Sequence, residues 1–131
     1  MDFNELLKIA KGLVKERKLS QEATAGTVAA VLLTEKGNIY TGVCIVTYAG
    51  MGFCAEHSAV AAMVTAGESR IIKCVATGID DEGACAPCGR CREFINAIHD
   101  ENYKCEVLIE NGMIATIDQL LPYNILSHQR K

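Results

Sequence analysis

The apolar positions follow two different periods. Phe3, Leu6, Leu7, Ala10, Leu13 and Val14 recur at helical spacing, with Lys8, Lys11, Lys15 and Lys18 on other faces. That pattern predicts a first helix lying on a sheet with a solvated charged face. Val28-Ala29-Ala30-Val31-Leu32-Leu33 is an unbroken apolar run, as expected of a strand covered on both faces. Glu35-Lys36-Gly37-Asn38 reads as a turn, and Ile39 to Thr47 as the returning strand of a hairpin. The loop Tyr48-Ala49-Gly50-Met51-Gly52 has two glycines, which either punctuate a turn or let backbone approach a ligand. Cys54 to Ala66 is an alanine-rich helix stopped by Gly67. Ile71 to Ile79 is a third strand and Asp80 to Ala86 a polar loop. Pro87 suits the first turn of a helix that runs to about Ile98. Cys105 to Ile109 and Met113 to Ile117 complete the strands, and Asp118 to Leu121 forms a helical turn. The order α-β-β-α-β-α-β-β predicts a mixed sheet with helices on both faces.

Size and charge narrow the classes. At 131 residues, half of them apolar, the chain is expected to be one domain spanning 1–131 with a single core. The net charge is −3 with no basic run, so a small molecule suits it better than a nucleic-acid polymer. The start, Met1-Asp2-Phe3-Asn4-Glu5, does not resemble a secretory signal. No apolar stretch is long enough to span a bilayer. A cytoplasmic protein with no membrane partner is expected. Seven cysteines, an odd number, fit reduced thiols and metal ligation better than a disulfide framework.

The chemistry concentrates in Cys54-Ala55-Glu56 and Pro87-Cys88-Gly89-Arg90-Cys91. Three thiolates suit Zn²⁺, and three protein ligands leave one tetrahedral position for water, as in catalytic zinc sites. Cys54 begins one expected helix; Cys88 and Cys91 begin another and share a face there. The positive end of a helix dipole stabilises thiolates. His57, Arg90 and Arg92 are candidates to offset the remaining negative charge. Glu56, close to a thiolate, could move protons without ligating the metal. Other readings of the same residues stand beside this one. Cys85, Cys88 and Cys91 form a C-x₂-C-x₂-C run that with Cys54 could close a structural zinc site or hold an iron–sulfur cluster. Cys88-x-x-Cys91 could also be a redox pair at a helix start. Cys74 and Cys105 read as buried strand residues.

The combination Cys-Ala-Glu with Pro-Cys-x-x-Cys is the three-cysteine form of the signature of zinc nucleobase deaminases. With Arg92-Glu93 and Leu120-Leu121-Pro122-Tyr123, and weaker similarity at Val28-Ala29-Ala30 and Tyr40-Thr41-Gly42-Val43, the chain resembles the cytidine deaminase family, including blasticidin S deaminases. The resemblance implies a three-layer α/β/α sandwich around a mixed five-stranded sheet. It implies zinc held by Cys54, Cys88 and Cys91, with Glu56 as the catalytic proton shuttle. It also implies a homotetramer, and a backbone around Ala55 that holds the base edge. Tyr48 and Phe53 are expected to line the pocket. The implied activity is hydrolytic removal of the 4-amino group of a cytosine nucleoside or analogue. The sequence departs from the family in places. Family members carry Asn-x-Glu for the ribose, where this chain has Cys44 and Val46 if one gap is allowed. His57 stands where the family has Arg, and Gly26 or Thr27 where it has Phe. The Arg92-Glu93 ending resembles some blasticidin S deaminases. A substrate with a modified sugar is therefore expected to do better than cytidine or deoxycytidine. A zinc-stabilised binding domain of the same fold is the alternative.

Overall fold

A computed structural model describes residues 1–126 of the chain. Helix α1 (Phe3–Leu13) begins at Asp2, whose carboxylate accepts from the Glu5 N–H at 2.9 Å. It buries Phe3, Leu6 and Ala10, the stripe its period predicts. A two-residue strand β1 (Arg17–Lys18) follows, then β2 (Thr24–Thr34) and β3 (Ile39–Val46). Next come α2 (Ala55–Thr65), β4 (Ile71–Gly78) and α3 (Gly89–Ile98). The chain continues through β5 (Glu106–Leu108), β6 (Ile114–Thr116) and the short α4 (Ile117–Leu120).

All six strands join one sheet, one more than expected. The addition is β1, too short and polar to leave a periodic signal. It pairs with the start of β2, which also begins earlier than its apolar run suggests; Thr24 and Ala25 pair with β1 on one side and β3 on the other. The full-length order is β3-β2-β4-β5-β6, with β4 and β5 parallel and the other pairs antiparallel. Helix α3 makes the crossover that a parallel pair requires.

Strand alternation divides the core. Val31 and Val75 pack with Phe3, Leu6 and Ala10 beneath α1. Their neighbours Leu32 and Cys74 face the other way, onto Ala59, Val60 and Met63 of α2 and Ile95 of α3. Both sheet faces are covered, which is why β2 and β4 read as nearly continuous apolar runs. Cys74 and Cys105 are buried in this core, as expected.

Two glycines fix α2. At its C-terminus Gly67 takes φ +94°, its N–H donates to Val64 O and the Glu68 N–H donates to Met63 O. This is a Schellman stop, in the left-handed conformation glycine adopts most easily. Glu68 then accepts from Asn38 Nδ2 at 2.8 Å and from the Tyr40 hydroxyl at 2.7 Å, tying the β2–β3 hairpin to the helix end. Gly42 works by close approach. A Cβ there would lie 2.4 Å from Ala59 N and 2.8 Å from Ala55 O, so the α2 backbone rests directly on β3. Gly42→Ala must push away the helix that carries Cys54 and Glu56. We expect a loss of about 1–3 kcal/mol, read as a lower urea midpoint of the zinc-loaded protein. An unchanged midpoint would show that this contact does not set the helix position.

Candidate metal centre and cleft

The two motifs meet where two helices begin. Cys54 is the N-cap of α2 and Cys88 the N-cap of α3, both extended, and Cys91 lies in the first turn of α3. Pro87, expected inside that turn, instead precedes the cap. Its fixed backbone suits the extended approach to the helix. The sulfurs of Cys54 and Cys88 are 3.5 Å apart, as are those of Cys88 and Cys91. All three Sγ atoms lie within 4.8 Å of one another. Tetrahedral zinc with bonds of about 2.3 Å requires sulfurs roughly 3.8 Å apart, so the donors fit the ion in number, softness and spacing. All seven cysteines are free thiols.

The thiols are not equivalent. Burial pushes Cys54 and Cys91 up. Burial also opposes ionisation of Cys88, but N–H groups of Cys91 and Arg90 and the neighbouring thiols outweigh it and bring Cys88 below the ordinary thiol value. The helix N-terminus thus eases ionisation of Cys88 relative to the other two thiols.

Glu56, in the first turn of α2, is 5% exposed. Burial raises its pKa, against smaller opposing effects of its own backbone N–H and of Cys91. It shares with Cys54 and Cys88 a cleft of about 180 Å³ whose remaining lining is Val28, Cys44, Ala55, Cys85 and Ala86. Ala55 is thus part of the cleft lining. Tyr48 and Phe53 are not in this lining. Tyr48 is exposed in a short 3₁₀ turn, and Phe53 is bridged by two backbone hydrogen bonds of 3.0 Å to Ile45. Of the loop glycines, Gly52 packs against Ile45 O and Gly50 turns the chain with φ +66°, so both serve the backbone path.

Cys85 lines the cleft but lies outside the group of three. Its N–H donates to Ala76 O at 2.9 Å, holding it to the end of β4, and burial pushes its thiol up to about 12. Of the charge-offsetting candidates, His57 lies beside the cluster: its Nδ1 is 3.4 Å from Cys91 Sγ and its ring stacks on Phe94 at 4.2 Å. Burial, and then the nearby Arg90, lower its pKa. Arg92 has a different task. It donates to Pro87 O at 2.8 Å and to Leu120 O at 3.1 Å, bracing the Cys88 loop against the end of α4. Arg90 is exposed.

The cleft residues that sequence reasoning missed are Val28 and Ala86. Val28 opens an apolar run and carries no chemical signal. Only the pairing of β2 with β4, which sets Val28 opposite Gly78, brings it beside the helix starts.

The family model described as the cytidine and deoxycytidylate deaminase zinc-binding region matches residues 4–107. The chain belongs to that family. It is thus a zinc-dependent deaminase, a hydrolase, of the cytidine deaminase kind, and the matched region contains all three clustered cysteines. Solved structures share the fold. Cytidine deaminase from Mycobacterium tuberculosis superposes with a TM-score of 0.78 at 23% identity, covering 95% of this chain and 98% of that one. The enzyme from Mycobacterium leprae gives 0.76 at 23% identity, covering 93% and 98%. That from Burkholderia pseudomallei gives 0.75 at 24%, covering 95% and 100%.

Zinc analysis of single variants tests the ligand set. Cys54→Ser, Cys88→Ser and Cys91→Ser should each release zinc on dialysis against a chelator, while Cys85→Ser keeps about one ion per chain. Equal loss from Cys85→Ser would establish a four-thiolate site.

Proposed function

We propose that this deaminase removes the 4-amino group of the cytosine ring in a nucleoside or nucleoside analogue, of the cytidine, deoxycytidine or blasticidin S type. The observation that carries the reading is Glu56: a buried carboxyl, its pKa raised by burial, at the wall of the cleft that Cys54 and Cys88 share.

Cys54, Cys88 and Cys91 would hold zinc, which supplies a Lewis acid and makes a coordinated water acidic near neutral pH. Glu56 takes a proton from water and delivers it to ring N3 as the water oxygen bonds to C4. It then passes a second proton to the amino group, the C4–N bond breaks, and ammonia leaves a ring that now carries the oxo group. A carboxyl whose pKa is raised by burial holds a proton more readily than an exposed one, which suits a group that must accept and return protons. The backbone at Ala55 would hold the ring edge. His57 beside Cys91 would steady that sulfur.

Several wider readings go with this one. We take 1–131 as one domain, supported by a single sheet that every described strand joins. The resemblance implies a homotetramer, and association of copies is supported by the exposed apolar side chains of Val46 at the end of β3 and of Tyr48, Met51 and Phe53 after it. In such an assembly Tyr48 and Phe53 could reach a substrate cleft across a subunit boundary. Among the described residues no helix is long and apolar enough to cross a membrane. The proposed substrate is a small molecule handled in the cytoplasm.

Glu56→Gln keeps the side-chain shape but cannot shuttle protons. It should hold zinc, unfold at an unchanged midpoint and lose about 10²–10⁴-fold in kcat. Undiminished turnover would remove Glu56 from the mechanism. Ammonia release across cytidine, deoxycytidine and blasticidin S identifies the substrate type. Blasticidin S should give the highest kcat/KM, and cytidine turned over more efficiently than the others would count against the analogue reading. Silence on all three by the zinc-loaded protein would favour a zinc-stabilised binding domain.

A further inference from the structure

The cleft divides into a reactive end and a wall. Cys54, Cys88 and Glu56 form the reactive end; Val28, Cys44, Ala55, Cys85 and Ala86 supply the other side chains. Val28, Ala55 and Ala86 have no side-chain hydrogen-bonding group. Cys44 is buried, at 8% exposure, and packs with Ala30, Ala55 and Ala76 and against Val28 and Cys85. Its sulfur accepts from the Val28 N–H at 3.3 Å and lies 3.1 Å from the Thr27 hydroxyl oxygen. A thiol is only a weak donor and a weak acceptor, and here the sulfur is already engaged by Thr27 and Val28 between β2 and β3. The Val28 N–H is consumed by the same contact. Val46, two residues on, is largely exposed and carries no polar group either.

We infer that Cys44 sets the specificity of this cleft, and that the enzyme selects cytosine compounds whose ring substituent brings few hydroxyl groups against the β2–β3 wall. The inference rests on the deaminase reading and sharpens it. With Glu56 engaged by the ring, a hydroxyl drawn against this wall gives up water and gains no strong partner. Such a loss penalises the bound state, whereas a bare carbon at the same place meets Val28, Cys44 and Ala86 in ordinary apolar contact.

The test uses zinc-loaded protein and three compounds that differ only in sugar hydroxyls: cytidine, deoxycytidine and dideoxycytidine. We expect kcat/KM to rise along the series by about fivefold or more overall, at about 1.4 kcal/mol per tenfold. Calorimetry with the products should show dideoxyuridine binding more tightly than uridine by a similar factor. A flat or falling series with brisk turnover overturns the inference and leaves the deaminase reading standing. No turnover of any of the three overturns the inference, and turnover of blasticidin S by the same preparation then decides whether the deaminase reading stands.

Cys44→Asn places an amide in the wall and should shift the series towards cytidine. Cys44→Ser, nearly the same size, should shift it less in the same direction. If both variants keep the unaltered order, Cys44 does not set the preference. Should the Asn variant fail to fold, the Ser variant and the unaltered protein still decide the question.

Discussion

Everything at this centre depends on bringing three sulfurs together on two helix N-termini. Ionised thiols 3.5 Å apart repel one another strongly. Nothing in the local sequence forces them together, since Cys54 and Cys88 are remote in the chain. The constraint comes from beneath. Leu32 and Cys74 of the sheet, with Ala59, Val60, Met63 and Ile95, lock α2 and α3 into one core. Gly42 lets α2 sit with its backbone on β3. Arg92 then fastens the Cys88 loop to the end of α4. With both helix starts pinned, partial positive charge from each points at the same spot, and a divalent cation completes the neutralisation. Metal binding and stability are coupled for that reason: an ion that binds only the folded chain stabilises it by mass action.

The same pinning creates the unusual state of Glu56. Two residues beyond Cys54, in the first turn of α2, its carboxyl is carried inward with the helix and loses most of its water. A buried carboxyl with no cationic partner has a raised pKa. In an ordinary core that would be a liability. Beside a metal centre it supplies a group placed to carry protons. The proximity of Cys54 and Glu56 in sequence is thus one device, because a single helix start positions ligand and proton carrier together.

Much of this was legible in the sequence because it is local. The period of α1, the apolar runs of β2 and β4, the stop at Gly67 and the presence of helices beginning close to Cys54 and Cys88 all follow from residue spacing and the placement of glycine and proline. The metal set was legible because thiols in that arrangement have few other uses. What stayed hidden depends on pairing between distant segments. β1 is two polar residues long and exists only because β2 offers an edge. Val28 and Ala86 line the cleft through topology and have no chemistry of their own to announce it. In the sequence Arg92 and His57 are both candidates to offset charge beside the cysteines. Geometry separates them: the guanidinium reaches two carbonyls away from the cluster, while the imidazole turns towards Cys91. Tyr48 and Phe53 stand close to the motif in sequence, but Phe53 is bridged to Ile45 and Tyr48 sits in a turn where Ala49 takes a positive φ, and neither joins the cleft lining.

The two ends of the cleft are under different constraints. At the reactive end, ligand count, sulfur spacing and the placement of one carboxyl admit little variation, because each affects the metal or the protons directly. The wall only has to fill space and match whatever hangs from the ring. There a single residue can exchange a strong hydrogen-bonding group for a thiol without disturbing the core, provided the thiol finds partners, as Cys44 does with Thr27 and Val28. A cleft of this kind can change its substrate while keeping its chemistry. It does so at the strand positions that face the ring substituent, and not at the helix starts that hold the metal.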